Sequence, residues 1–547
     1  MAYKGFRDVN FRKAMKKTLL IAICVLLFWL HPSLGQRLAN EGKRGLHVRS
    51  IDQVLLLNKD EVDLATAALI VSEQWSDMVQ GRRYLAMLDE MALEIQQRLK
   101  DKWLRPTYKA IPVMNHYLFQ ELRFRPVSEA EDPNDLFLHS VLDNRRGYCL
   151  SLSILYLSLA ERLGMPMYGV VVPGHFFVRY DDGQTKWNIE TTNQGANALD
   201  RHYIEKFRVP EGNDSGIYMK NLDKIQTLGC LFNNLGNTYC DMGDLDTALV
   251  ILQTAVDINP LLAESRANLG NVYLKMGQIE QAINEYHQAL EINARDPKTY
   301  SNLANAYLQQ DRLKDAISLY TEALQLDPNF VDAHKNLAIA YCKQQRFGLA
   351  IAQLKQALTL KPQNASLYSQ LGEVYCQMEA YDEAISQYRQ ALLLERNLAE
   401  ANYGLAICYH KLGLYDDEIQ AYRKVLAVKP DMLPALVNLG NAYFSKEDYE
   451  AAIDLYKRAV QIAPSDPRIH CNLAAAYTNR ADYEHAVAAY LKAVEIQPNL
   501  GDAHYGLAIG YYRQRKYESA WKHIRTAQKL GVDVTKEQLD AIKQHLR

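Results

Sequence analysis

From residue 229 onward the apolar positions repeat every 34 residues. Leucine stands at 235, 269, 303, 337, 371, 405, 439, 473 and 507, each followed by Gly or Ala and, four residues on, by a tyrosine (239 through 511). Thirteen residues after each leucine comes alanine, from Ala248 to Ala520, with Glu418 the one departure. A proline closes six units, at Pro260, Pro328, Pro362, Pro430, Pro464 and Pro498. Leu and Tyr four apart share one helical face, and the small residue beside them admits a second helix. Proline ends that second helix and opens the next pair. The pattern predicts nine stacked helical hairpins, each burying its apolar face only against its neighbours, in a solenoid with a concave and a convex side. The nine tyrosines are expected in the core, not on a binding stripe.

These 34-residue units resemble tetratricopeptide repeats. They run over 229–534, and Thr535-Lys-Glu-Gln538 reads as a capping box opening a final helix over 535–547, with Leu539, Ile542 and Leu546 on one side. Asparagine is the anomaly. It precedes the repeat leucine at Asn234, Asn268, Asn302, Asn336, Asn438 and Asn472, and recurs three residues later at Asn237, Asn271, Asn305 and Asn441. Asparagine is a poor mid-helix residue, so helix stability does not account for it. The array is similar to the superhelix of O-linked N-acetylglucosamine transferases, whose asparagine ladder lines the concave groove and grips extended peptide. That resemblance implies a protein or peptide ligand in the groove; the alternative is a ladder retained without one. Gln370, Gly404 and Gly506 interrupt it.

Residues 36–215 lack the period, and 216–228 reads as a linker. Helical patterns cover Asp60 to Trp75, Arg83 to Leu99 and Leu150 to Leu163; Met167 to Val172, His175 to Tyr180 and Thr185 to Thr191 read as strands. A two-residue loop at Asp182-Gly183 would set His175 opposite Glu190, Phe177 opposite Asn188 and Arg179 opposite Lys186, with Phe176/Ile189 and Val178/Trp187 forming one apolar side. Cys149 would begin a helix, where the helix dipole favours thiolate. A helix-start cysteine, a strand histidine and a carboxylate on the next strand make nucleophile, base and orienter.

The stretch Arg145-Arg-Gly-Tyr-Cys149-Leu-Ser-Leu-Ser, with Ala160-Glu-Arg-Leu-Gly164 and Pro173-Gly-His175-Phe-Phe-Val-Arg179, resembles the transglutaminase-like superfamily, nearest its SirB-type branch, over roughly 50 to 200. The resemblance implies a small α+β, papain-like fold and a Cys-His-Asp triad carried by Cys149, His175 and Glu190. Glutamate replaces the usual aspartate, so Asn188 is a second candidate orienter. Hydrolysis of an amide and acyl transfer to an amine both remain open, as does a fold retained only as structure.

Composition narrows the partners. The 547 residues hold 62 basic and 64 acidic side chains, and six of the former but one of the latter fall in the first 35. The remainder is mildly acidic, which argues against nucleic acid. The basic start precedes an apolar run, Thr18 to Leu30, then Pro32 and Ser33-Leu34-Gly35, which predicts a signal peptide cleaved before Gln36, or else an uncleaved membrane anchor over 1–35. Either takes the body out of the cytoplasm, to the periplasm, the exterior or the cell envelope, with membrane contact only through that segment. No CxxC pair, zinc spacing or cofactor motif occurs, so no metal or cofactor is expected. Cys230, Cys240, Cys342, Cys376, Cys408 and Cys471 are expected as small core fillers. The fold expected is mainly α: a tetratricopeptide solenoid following a small α+β domain. The function expected is an exported scaffold for protein partners, or a thiol enzyme whose repeats recruit its substrate.

Overall fold

The computed structural model describes residues 48–76, 78–127, 132–210 and 216–546; the expected signal peptide or anchor lies outside them. Two compact units divide the chain, one reaching Leu326 and one beginning at Asp327.

Among the described residues of the first unit, seven α-helices precede the repeats: α1 (Ile51–Leu55), α2 (Leu64–Trp75), α3 (Gly81–Asp101), α4 (Ile111–Asn115), α5 (Leu138–Asn144), α6 (Cys149–Arg162) and α7 (Asp200–Lys206). Asp63 caps α2 by accepting from Thr66 N at 2.7 Å, so this helix starts four residues later than its apolar pattern suggests. Helix α6 is buried from Leu150 to Ala160, with Ser151, Ser153 and Ser158 among the buried residues, and forms the centre of the core. Two short strands, β1 (Arg125–Pro126) and β2 (Arg146–Gly147), pair in parallel. Three more, β3 (Met167–Val172), β4 (His175–Asp181) and β5 (Lys186–Ile189), form an antiparallel sheet in that order.

The β4–β5 register differs from the sequence expectation by two residues. Val178 faces Ile189, Arg179 faces Asn188, Tyr180 faces Trp187 and Asp181 faces Lys186. The loop is four residues, 182–185, because Asp182 Oδ1 accepts from the N–H groups of Gln184 (3.0 Å) and Thr185 (2.7 Å) and closes a wider turn than Asp-Gly alone. A slip of two keeps every side chain on its expected face. It also removes the expected Arg179/Lys186 repulsion, since Lys186 lies 3.8 Å from Asp181 instead. Neither face is wet: from Phe176 to Tyr180 every residue of β4 is buried. The Phe177 ring stacks 3.9 Å from that of Tyr203 on α7.

The expected linker is packed structure. Ile217, Tyr218 and Leu222 are buried, and the N–H groups of Met219 and Leu222 donate to Val171 O (3.0 Å) and Gly169 O (2.9 Å) along the edge of β3. The first repeat helix then begins at Lys224, capped reciprocally by Asp223 and Gln226. Three hairpins complete this unit: α8 (Lys224–Asp241) with α9 (Leu245–Ile258), α10 (Ala263–Lys275) with α11 (Ile279–Ile292), and α12 (Pro297–Gln309) with α13 (Leu313–Leu326). One apolar core runs from Val48 through α6 and the sheet to Ala289 of the second hairpin.

The second unit holds six further hairpins between Val331 and Lys529, and a last helix, Lys536–Lys543, opened by the expected Thr535/Gln538 box. All eight alanines at the thirteenth position are fully buried. Of the nine expected core tyrosines only Tyr307, Tyr409 and Tyr477 are buried; the other six are half-buried. The deeper aromatics are a second set on the following helices, Tyr286, Tyr320, Tyr388, Tyr422, Tyr456 and Tyr490. They explain glycine after three of the leucines: a Cβ on Gly270 would lie 2.7 Å from the Tyr286 ring, one on Gly372 2.9 Å from Tyr388, and one on Gly440 2.5 Å from Tyr456.

Candidate thiol site

Cys149 is the first residue of α6, and three contacts fix that helix start. Ser151 Oγ accepts from Tyr148 N (2.9 Å) and donates to Asp135 O (2.7 Å). Gly147 is required there, because a Cβ would sit 2.6 Å from Ser151 Oγ and 2.8 Å from Val141 Cγ2. Thr191 Oγ1 pairs with Ser153 Oγ at 3.0 Å and reaches Cys149 O at 3.4 Å, tying the end of β5 to the first turn of α6.

His175 opens β4 after the Pro173-Gly174 turn. Its Nε2 lies 2.7 Å from Glu190 Oε2, with the two side chains 13% and 14% exposed. The pairing expected from sequence is therefore present, but by another route. Across the sheet His175 faces Val172, and Glu190 stands one residue beyond β5, reaching the ring diagonally. Glu190 Oε1 accepts from Thr192 N (3.1 Å) and from the Thr192 hydroxyl, and Tyr203 OH donates to Oε2 at 3.3 Å. With Nε2 on the carboxylate, Nδ1 is the ring nitrogen left for the thiol. Phe207 stacks on the imidazole at 4.7 Å and 1°, fixing its plane.

The electrostatics follow from these contacts. Burial alone would push His175 down, but hydrogen bonds with Cys149 and Glu190, and their charge, hold it up to about 9. Burial would push Glu190 up, and the hydrogen bond and charge of His175 hold it below the usual carboxylate range. Asn188, the second candidate orienter, is engaged elsewhere. It accepts from Arg179 Nε (2.8 Å) and donates to Ala198 O (2.8 Å) and Asp200 Oδ1 (2.7 Å).

The repeats form one wall of the site. A cavity of 110 Å³ is lined by Cys149, Leu150, Val171, Val172, Gly174, His175 and Phe176 together with Cys230, Asn233 and Asn234 of α8, Leu262, and Glu264 of α10. Of these repeat residues only Asn234 carries a sequence signal; the 34-residue pattern does not mark the others.

The asparagine ladder is knitted into the array. Asn233 Nδ2 donates to Asn234 Oδ1 (3.2 Å), Asn268 Nδ2 to Asn233 Oδ1 (3.0 Å), and Asn302 Nδ2 to Asn271 Oδ1 (2.9 Å). Asn271 and Asn441 also accept from Tyr286 OH (2.8 Å) and Tyr456 OH (2.7 Å), and Asn305 from Tyr320 OH. Asn438 donates to Tyr422 and Tyr403, Asn472 to Asn441 (3.4 Å), and Asn237 to Asp241. Asn336 is likewise engaged. Two interruptions have a steric cause: a Cβ on Gly404 or Gly506 would lie 2.2 Å from the ring of Tyr388 or Tyr490. Gln370 has a buried Oε1 without a partner among the described residues.

Of the repeat cysteines, Cys230, Cys240 and Cys408 are buried and Cys342, Cys376 and Cys471 half-buried, in keeping with core fillers. Burial raises Cys342 and Cys471 to about 11, whereas a hydrogen bond from Cys408 lowers Cys376.

Residues 82–227 match the model of the transglutaminase-like superfamily, a span beginning and ending later than the motifs suggested. Tetratricopeptide repeat models match repeatedly between 236 and 500. A UPF0162 protein of Xylella fastidiosa is 32% identical over 123 residues, 22% of this chain and 43% of that protein. The F-box only protein 21 of Homo sapiens is 32% identical over 94 residues, 17% of this chain and 13% of its own length. The chain thus spans less than half the length of these two relatives. Among solved structures, a MamA fragment from Desulfovibrio magneticus is 25% identical with a TM-score of 0.29, covering 30% of this chain and 94% of the fragment. YrrB, described as a tetratricopeptide repeat protein with an unusual peptide-binding site, is 27% identical with a TM-score of 0.27, covering 33% of this chain and 92% of its own.

Proposed function

We propose that this chain, a transglutaminase-like domain followed by tetratricopeptide repeats, is a scaffold whose repeats hold protein or peptide partners beside a thiol pocket. The observation that carries this reading is the placement of Asn234. It belongs to the asparagine series and lines the same cavity as Cys149 and His175. Asn268 and Asn302 each spend one N–H within the ladder, which leaves a second N–H and the carbonyl for extended backbone. Replacing Asn268 and Asn302 together by Ala should weaken a bound extended peptide, each lost bond costing on the order of 1 kcal/mol. Unchanged affinity, measured by fluorescence anisotropy for a partner the wild type binds, removes the ladder from the account.

A second reading, that the pocket is catalytic, is favoured by the imidazole shared between Cys149 and a carboxylate 2.7 Å away. In this reading Cys149 attacks an acyl carbon, His175 returns the proton to the leaving group, and Glu190 holds the ring. Water or an amine then takes the acyl group from sulfur. Site-resolved iodoacetamide labelling near pH 7 tests it. Cys149 should alkylate faster than Cys342 and Cys471, with Cys376 its nearest competitor, and His175→Ala should slow Cys149 alone. A Cys149 rate indifferent to His175→Ala would falsify the catalytic reading.

A further inference from the structure

The turn that delivers His175 is held from the repeats. Gly174 has φ +71°, and a Cβ built there would meet no atom within 4 Å, so side-chain packing does not wedge the turn in place. Its N–H donates to Glu264 Oε1 at 3.1 Å, and the other oxygen of that carboxyl accepts from Tyr218 OH at 2.6 Å. Glu264 lies in the first turn of α10, in the second repeat, 90 residues from Gly174. Tyr218 is buried in the segment that extends the edge of β3. One side chain therefore joins three segments: the turn before the imidazole, the connection into the array, and the array itself. It does so within the cavity that holds Cys149 and His175.

We propose that Glu264 is a positioning residue for His175, setting the Pro173-Gly174 turn so that the imidazole meets Cys149 and making the thiol site a joint product of the domain and the second repeat. The proposal rests on the thiol reading above. A backbone N–H held by a carboxylate is a charge-assisted bond, stronger than a neutral one. Burial raises the Glu264 carboxyl above its usual range, and the hydrogen bonds from Tyr218 and Gly174 act against that rise.

The experiment is site-resolved iodoacetamide labelling of the full chain against pH, comparing wild type, His175→Ala, Glu264→Ala and Glu264→Gln. Glu264→Ala should slow Cys149 several-fold at pH 7 and displace its pH profile. Glu264→Gln, whose amide oxygen still accepts the Gly174 N–H, should recover most of the rate, a rescue that simple loss of stability would not give. If Glu264→Ala keeps the wild-type rate and profile while His175→Ala slows Cys149, the positioning role fails and the thiol reading stands. If His175→Ala also changes nothing, both fail. Should Glu264→Ala unfold, shown by fast labelling of buried Cys230 and Cys408, Glu264→Asp decides. It keeps the charge but shortens the reach by one methylene, so slow labelling of Cys149 is expected and a wild-type rate overturns the proposal.

Discussion

An imidazole between a thiol and a carboxylate gains affinity for its proton from both, and that gain is linked to folding. His175 is held up to about 9 in the native protein against an ordinary 6.5. A raised folded value means that its contribution is fully present below pH 6.5 and is lost as pH climbs through about 9. The difference in unfolding free energy, measured by urea titration, between wild type and His175→Phe should therefore be largest near pH 6 and shrink toward pH 9.5. At its largest it should be on the order of 2 kcal/mol, the cost of leaving Glu190 without its partner. A difference independent of pH would sink the linkage. At this scale the sequence was legible by face but not by register. Alternation along β4 placed His175 and Glu190 on one side, whereas the four-residue loop depends on which N–H groups the Asp182 carboxylate captures. Glu264 left no trace in the pattern, because its partners, Gly174 and Tyr218, are brought to it only by the packed fold.

The repeating element tells its own story at two positions. The first is the turn within each hairpin. Residues 243, 277, 311, 345, 379, 413, 447, 481 and 515 all have φ between 59° and 81°, yet only Gly243, Gly277 and Gly413 are glycine. The 34-residue period fixes this conformation even where the residue type resists it. Sequence reading misses it because Asp311, Gln345, Glu379, Glu447, Ala481 and Arg515 range over acid, amide, methyl and guanidinium. At Ala481 (φ 64°) no side-chain contact beyond a methyl group is at stake. Ala481→Gly should raise stability by up to about 1 kcal/mol, the cost of the left-handed conformation for an L-residue; a lower melting temperature would contradict this. The second position is Glu418, the lone departure from buried alanine. It is 2% exposed, 3.2 Å from His410 Nδ1, and burial raises its carboxyl. Raised above its unfolded value, this acid favours the folded state when protonated and penalises it as pH rises. Glu418→Ala should stabilise the chain by on the order of 1 kcal/mol, and by more at pH 8 than at pH 5. Thermal melts at the two values check both the sign and the trend.

For the molecule as a whole, periodicity named the hairpins almost to the residue, since each hairpin's apolar positions answer to neighbours of identical design. The junction with the preceding domain was not legible, because Ile217, Tyr218 and Leu222 belong to no repeat and find their places only against β3. That junction decides where the protein can be cut. One apolar core runs from Val48 to Ala289, so a gene truncated after 215 or 228 would encode a domain stripped of the helices that finish its interior. Such a piece should be recovered as aggregate or as a loosely packed species. A piece ending at Leu326 carries the whole compact unit and should melt cooperatively. In the intact chain, limited proteolysis should accordingly spare the boundary that homology draws at residue 227, so a stable fragment ending there would contradict the shared core.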